Sequence, residues 1–580
     1  MKLRKTTLLF ALIFSLVSHA QETLYNYSFF TNSGMPGFYF FSKTNAKSSS
    51  IKNIDQKLPV SKTIFHTPGN SLQLEYVNAK NGHWQAIIYH PDIRGQDHFK
   101  RVKYLSFWVY NPSISTGEND LPSVQLIKID SSIGANFEFE TGGINSWKQV
   151  LIPVDLNTNP DDPAAIIGIG FSQKKDDGKK HTIYIDDIEF LSTDQASSIK
   201  ATPVIDHAIG AAKHIDISWK PALDSAIRFV KIYRSAGSKN YQPVGIQSPL
   251  ISRYADFTGE TGKTYSYKIS FLNNKYQESM LSAPVSAKTK PMTDDELLTM
   301  VQEASFRYYW EGAEKISGLA KENMLGREEM IAAGASGFGI MALIAGTERK
   351  FITRKQSVDR FVRIVNFLEK AETFHGVFPH FIDGATGKVI PFFGMKDNGG
   401  DLVETSFLLQ GLLTARAYFT GKDSSERMIR EKITAIWNKI EWDWYKQHAD
   451  SKFLYWHWSP DQGWVINHTL IGWNEVMVTY LLAIASPTHS IPASMYYTGW
   501  ANQDSTGQKY RSNWGGTMEG SMYYNGKSYY GIKLDVGVSN GGPLFFTHYS
   551  YLGYDPHLIT DKYTNYFTNN KNIALINYLY

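Results

Sequence analysis

The hydrophobic pattern changes period once, at Pro291, and that change divides the chain. Before it, apolar and polar residues alternate in short runs that stop at turn signals, the pattern of strands buried on one face. After it, apolar residues recur at three- and four-residue intervals. Thr293 and Glu296 have the spacing of a capping box, and Leu297, Leu298, Val301 and Tyr308 follow at helical spacing. A chain of 580 residues with this break is expected to form a β-rich N-terminal half and an all-α C-terminal half, in two to four domains.

Residues 1–20 read as a secretory signal. Lys2, Arg4 and Lys5 precede the short apolar core Thr6 to Val17, and Ser18-His19-Ala20 is a small-x-small cleavage site. Export to the periplasm or the medium is therefore expected, as a soluble protein. The formal charge of +4 falls to +1 once those three cations are removed, and no like-charge run remains. That balance gives no reason to expect nucleic acid as a partner. No later apolar run reaches the roughly 18 residues of a membrane-spanning helix. Cysteine is absent, which excludes disulfides, thiolate zinc sites, a thiol nucleophile and a lipid-modified N-terminal Cys.

Residues 21–195 are expected to form a β-sandwich or jelly roll. Leu105 to Tyr110 stops at Asn111-Pro112, Trp147 to Ile152 stops at Pro153, and Ile166 to Phe171 and His181 to Ile188 follow at regular spacing. The run Ile183 to Phe190 resembles the last strand of carbohydrate-binding jelly rolls, which would make the sandwich carbohydrate-binding. A sandwich with no ligand stands beside that reading. Residues 200–289 resemble a fibronectin type III domain, with Ile215 to Trp219 as the strand of the core Trp and Tyr265 to Phe271 as the Tyr-alternating strand. Such modules are spacers, and no chemistry is visible in this one.

From residue 291 the spacing predicts eight helices, over about 294–310, 335–347, 354–372, 402–420, 424–441, 472–486, 543–552 and 561–579. Long loops rich in Gly, Trp, Tyr and His separate several of them, and long ordered loops carry function. Ten of the fourteen Trp lie in this half, where aromatic faces can stack on sugars as well as fill a core. Helices alternating with aromatic loops suggest an α/α toroid with a cleft at one end.

Two stretches place acids at helix starts. In Gly399-Gly-Asp-Leu-Val-Glu404, Asp401 is expected as an N-cap and Glu404 lies three residues on. In Gly472-Trp-Asn-Glu475, the acid opens the apolar run Val476 to Ala485 and is expected in a first helical turn. Glycoside hydrolysis needs one acid to protonate the leaving oxygen and a second carboxylate to activate water or attack carbon. Burial beside Trp473 would raise the pKa of Glu475 and suit it to donate a proton. The plain alternatives are that Glu475 only answers the helix dipole, and that Asp401 and Glu404 are spent on backbone N–H groups as a capping box.

The loop Tyr455-Trp-His-Trp-Ser459 with Trp464 supplies aromatics and His457, either as sugar subsites or as a loop mini-core. His375 and His380 flank a Pro but lack a third ligand at useful spacing, so no metal is expected. Glu322 and Arg327 are read as a surface pair. Gly337-Phe-Gly339 follows no strand and is no nucleotide loop, and no Gly-x-Ser-x-Gly elbow occurs. No cofactor is expected.

The C-terminal half resembles the glucoamylase-like domain of glycoside hydrolase family 144. The resemblance is carried by Glu303 to Trp310, Ser317 to Ala320, Ser336 to Leu343, His375 to His380, Pro391-Phe-Phe-Gly394, Gly399 to Glu404, Gln410 to Leu413, Tyr455 to Pro460, Asn474-Glu475 and Ser486 to His489. It spans nearly all of 294–570. It implies an (α/α)6 toroid over 291–580 that hydrolyses β-1,2-glucan or its oligosaccharides, with inversion. The β region ahead of it resembles that of the exo-acting, sophorose-releasing members. The resemblance makes Glu475 and Glu404 cleft acids and makes Asp401 a sugar ligand or cap. It makes Trp456, His457, Trp458, Trp464, Trp473, Phe393 and His380 the candidate sugar contacts. Which carboxylate is acid and which is base does not follow from spacing.

The family domain continues past the position of Tyr580, and a closed toroid needs twelve helices. The expectation is therefore an incomplete toroid. A non-catalytic glycan-binding protein is the alternative function, and a polysaccharide lyase, which would need a basic cleft, is a third.

Overall fold

The computed structural model describes residues 28–33, 41–89, 102–113, 116–128, 130–154, 166–221, 224–237, 240–249, 251–323 and 329–580. The expected signal segment 1–20 and Arg327 lie outside the described residues. Contacts divide the chain into two units, Met1–Asp294 and Asp295–Tyr580.

In the first unit, two antiparallel sheets enclose a core. One runs Trp147–Pro153, Tyr104–Tyr110, Lys180–Leu191, Ser71–Val77, Ser50–Ile51, with Ser28–Phe30 and Val60–Ser61 added along it. The other runs Ser42–Lys47, His83–Tyr89, Ile166–Ser172, Ser123–Lys128, Ile133–Phe137. Alternation places the side chains: Leu105, Phe107 and Val109 point into the core, and Trp108 and Tyr110 point to the other face. A second pair of sheets follows. Three strands, Ile205–Gly210, His214–Trp219 and Arg253–Phe257, face four, Gln242–Gln247, Phe229–Ser235, Thr264–Leu272 and Val285–Lys288, around Trp219, Ile232 and Tyr267.

The second unit is helical. Among the described residues its helices are α1 (Asp294–Trp310), α2 (Ala333–Glu348), α3 (Arg354–Leu368), α4 (Leu402–Tyr418), α5 (Ser424–Lys439), α6 (Met477–Ala485), α7 (Ser505–Gly515) and α8 (Tyr566–Leu579). Helix α4 is buried nearly all round, and it serves two cores. Leu402, Val403 and Phe407 join a cluster with Trp442, Trp473 and Tyr480, whereas Leu408 and Leu412 join one with Ile340, Phe361 and Ile433. Helices α2 and α4 touch backbone to backbone, since a Cβ on Gly337 would meet the Phe407 carbonyl at 2.0 Å and one on Gly411 the Gly337 carbonyl at 2.3 Å.

Three expected helices change. The stretch 543–552 forms two 3-10 turns, Leu544–Thr547 and Tyr549–Tyr551, joined at His548, in place of one α-helix. The helix expected from 472 starts at Met477: Asn474 Oδ1 accepts from the Val476 amide at 3.1 Å, a local turn that competes with a helical start. The last helix starts at Tyr566, behind the Asn565 cap. Helix α7 was not expected. Its face toward the core holds Gly507 and Arg511 in place of an aliphatic stripe, so it carries no 3.6-residue apolar signal.

Candidate active site

Loops brought together by α4 build the site. The Asp401 amide donates to the Phe378 carbonyl at 2.9 Å, and the Leu402 amide to the Trp456 carbonyl at 2.8 Å. Gly400 and Asp401 pair with Trp458 and His457 as a short antiparallel ladder. Thr405 Oγ1 accepts from the Phe378 amide at 2.8 Å. The segments carrying His380 and Trp456 are thus stitched to the first turn of α4.

Asp401 is the N-cap of α4. Its Oδ1 accepts from the amides of Val403 at 3.0 Å and Glu404 at 2.9 Å. Its Oδ2 accepts from Trp456 Nε1 at 3.0 Å and lies 3.4 Å from His380 Nδ1. Both oxygens are engaged, so this acid holds its neighbours. Burial opposes the charge on His380, but the hydrogen bond and charge of Asp401, with the charges of Glu404 and Asp397, outweigh it and raise the imidazole to about 9.

Glu404 is one turn into α4 and reaches the N-terminus of α2. The Gly334 amide donates to its Oε2 at 2.8 Å, while the preceding amide of Ala333 donates to the His380 carbonyl at 3.0 Å. The N-cap of α2 is Ala332, which offers no side-chain acceptor, so Glu404 supplies one from the neighbouring helix. Burial raises the Glu404 carboxyl to about 7, with the His380 charge pulling it down and Asp401 pushing it up.

Glu475 stands in the bend ahead of α6, not in its first turn. Ser550 fixes that bend: its Oγ donates to the Glu475 carbonyl at 2.5 Å and accepts from the Val478 amide at 3.1 Å. Burial raises the Glu475 carboxyl. The neighbouring Tyr549 packs on Phe338 at 4.7 Å and Phe407 at 5.5 Å, and its phenol is raised by burial and then by the charges of Glu475 and Glu404. The charges of both glutamates therefore reach Tyr549.

A cleft of about 450 Å³ opens at Asp401 and His380, lined by His380, Phe393, Lys396, Asp397, Asp401, Trp456, His457, Ile466 and His468. It gathers five of the expected residues: His380, Phe393, Asp401, Trp456 and His457. Glu404 and Glu475 are not in its wall. Nor are three of the tryptophans. Trp458 lies edge-on to His375 and Trp444, and Trp464 packs edge-on against Tyr445 and Tyr455 in a loop mini-core. Trp473, expected as a sugar contact, is 1% exposed, donates from Nε1 to the Gly541 carbonyl at 3.1 Å and stacks on Tyr566. It belongs to the core, where its burial and its satisfied indole leave no face for a sugar. His375 pairs with Glu441 at 2.9 Å.

Sequence reasoning missed Asp397, Lys396, Ile466 and His468. Asp397 is buried on a 3-10 turn, and burial raises its carboxyl to about 6, opposed by His380 and helped by Asp401. Only its position between the Pro391–Gly394 motif and the Gly399–Glu404 motif could have pointed to it.

Residues 467–580 match the family model described as "Putative glucoamylase". Over its whole length the chain is 50% identical to the exo beta-1,2-glucooligosaccharide sophorohydrolase (non-reducing end) of Parabacteroides distasonis, and it spans 81% of that protein. The chain belongs to glycoside hydrolase family 144. The crystal structure of beta-1,2-glucanase from P. distasonis superposes on this family member with a TM-score of 0.87 at 51% identity, covering 95% of this chain and 80% of that one. An endo-beta-1,2-glucanase from Chitinophaga pinensis, solved with sophorotriose and glucose, is 43% identical over 50% of this chain and 66% of its own, with a TM-score of 0.44. Among the described residues of this glycoside hydrolase, no helix is long and apolar enough to cross a membrane.

Proposed function

We propose that the protein hydrolyses β-1,2-glucosidic bonds in glucooligosaccharides, with inversion, and releases sophorose. The observation that carries this reading is Glu404: a largely buried carboxyl raised to about 7, with one oxygen fixed by the Gly334 amide. Such a group keeps a proton near neutral pH and is held in a fixed position, two properties that a general acid needs. Glu475 is the proposed base. The charges of both acids act on Tyr549, and inversion would hold a water between the two carboxylates, which needs about 6.5–9.5 Å between them. Asp401 contributes by holding His380 and Trp456, and Trp456 supplies an aromatic face beside the cleft. The named activities of the P. distasonis relatives support the substrate class.

The domain plan that goes with this reading is an exported chain with signal 1–20, a β-sandwich over 21–195, a fibronectin-like spacer over 200–289 and a catalytic domain over 291–580 belonging to an (α/α)6 toroid. The test is a product assay on β-1,2-glucooligosaccharides with the unaltered chain, Glu404→Gln and Glu475→Gln, following the anomer first formed by NMR. Sophorose released as the α-anomer, and lost in both variants, supports the proposal. Binding without turnover would instead favour a glycan-binding protein.

A further inference from the structure

His457 is 2% exposed and Asp397 is 7% exposed, and both face the 450 Å³ cleft. Among the described residues, neither ring nitrogen of His457 has a hydrogen-bond partner, and Asp397 Oδ2 has none. The Asp397 carbonyl influences the ring but does not meet hydrogen-bond geometry. His457 Nε2 stands 3.8 Å from Asp397 Oδ1, too far for a direct bond. Buried polar atoms left without partners are costly, and at the wall of a cleft a ligand can supply the missing bonds. Here they lie together on one wall of one cleft, beside Trp456 and Phe393.

The missing partner can be specified. A neutral imidazole offers one N–H donor and one lone pair, and a carboxylate offers acceptors. Burial lowers the proton affinity of His457, which keeps it in that neutral, two-sided form. Its complement is a group that both donates and accepts at two neighbouring points, which is what two adjacent hydroxyls do. We infer that Asp397 and His457 form a clamp for the adjacent 3- and 4-hydroxyls of one glucose unit.

This rests on the proposed activity and adds the basis of linkage choice. In a β-1,2-linked chain the linkages use C1 and O2, so every unit keeps its 3,4-diol. In β-1,3- or β-1,4-linked chains the linkage takes O3 or O4, and only the terminal unit keeps the pair. A diol clamp therefore admits any unit of a β-1,2 chain and rejects interior units of the others. A site built to hydrogen-bond a hydroxyl rejects analogues that lack it.

The experiment is calorimetric binding to the full chain carrying Glu404→Gln, so that nothing is turned over. The probes are sophorotriose and its analogues deoxygenated at C3 or C4 of a single unit, each unit in turn. For one unit, each deletion is expected to weaken binding at least tenfold. Adding Asp397→Asn or His457→Phe should weaken the parent sugar and remove most of that deletion penalty. Penalties below threefold at every unit, or penalties unchanged by both variants, overturn the clamp. The deoxy series needs only the Glu404→Gln chain, so a variant that misfolds does not block the test. Turnover of sophoro-oligosaccharides by the unaltered chain is measured alongside. If it is present while the penalties are absent, the clamp alone fails. If neither turnover nor sophorotriose binding is found, the underlying activity fails, and the clamp with it.

Discussion

Gly334 and Glu404 meet across two helices so closely that only a glycine fits. The Gly334 amide donates to Glu404 Oε2 at 2.8 Å, and a Cβ on Gly334 would stand 2.3 Å from that same oxygen. Gly334→Ala should therefore push the carboxyl from its place while leaving the helix intact, since alanine is the better helix former. A displacement of about 1 Å at a catalytic group can lower the rate by about 10²-fold. The expected result is kcat/KM down by about that factor with an unchanged circular dichroism spectrum. Full activity in this variant would mean that the Glu404 position is immaterial to the reaction.

The pH dependence follows from the same group. A carboxyl raised to about 7 holds a proton in the folded protein that it has lost in the unfolded chain, where it titrates at about 4.3. Between those values the folded state binds more protons, so this group's contribution to stability is full below about 4.3 and is lost as pH rises through 7. Glu404→Gln removes that dependence. Its melting temperature relative to the parent should rise between pH 5 and pH 7.5, and a flat difference across that range would contradict the assignment. If Glu404 is the acid, kcat/KM of the parent falls as pH rises through about 7.

His380 tunes that limb. Its positive charge lowers the Glu404 carboxyl, and Asp401 keeps His380 charged. Asp401→Asn retains an oxygen for the helix cap, and Asn caps about as well as Asp. What it loses is one acceptor for Trp456 Nε1 and the negative partner of His380. The expected outcome is a folded protein whose His380 titrates nearer the ordinary histidine range by NMR. His380→Asn removes the cation outright and should move the alkaline limb of the activity profile to higher pH. A limb that stays in place would show that His380 does not act on Glu404.

How far the sequence could be read depended on whether a residue's job had a local signature. Strands announced themselves through alternation, as at Leu105, Phe107 and Val109, and the cap at Asp401 through its spacing to Glu404. Trp473 was misread because an aromatic beside an acid looks the same in sequence whether it faces a cleft or a core; its indole bond to Gly541 spans 68 residues. Asp397 went unseen because it sits in a turn between motifs, and its isolation among His380, His457 and Asp401 is a tertiary fact. Arg511 hid α7 in the same way. It is fully buried, and its guanidinium satisfies the carbonyls of Gly472 and Asn502, a bond set that no helical periodicity reveals.

That difference can be measured by comparing Trp473→Phe with Trp456→Phe. The first removes part of a packed core side chain and its bond to Gly541, and should lower stability by about 1–3 kcal/mol with KM little changed. The second alters a residue of the cleft wall whose ring is only partly buried, and should raise KM with a smaller effect on melting. A large KM change in Trp473→Phe without loss of stability would return that residue to the cleft.

The N-terminal unit contains a buried ion pair between its two sandwiches. Arg228 of the second donates from Nη2 to Glu189 of the first at 2.7 Å, and their side chains are 4% and 3% exposed. Tyr276 donates to the other Glu189 oxygen at 3.0 Å, Arg228 reaches Ser28 Oγ at 2.8 Å, and Asn273 and Asn274 bind the carbonyls of Ser197 and Gln195 in the connecting segment. Removing one partner of such a pair strands the other charge, a loss of about 3–5 kcal/mol, whereas replacing both with apolar residues is far milder. Arg228→Ala should therefore lower the melting transition of this unit sharply, and Arg228→Met with Glu189→Leu should recover most of it. If Arg228→Ala melts like the parent, the ion pair adds nothing and the remaining contacts, such as Tyr276 on Glu189, hold the sandwiches without it.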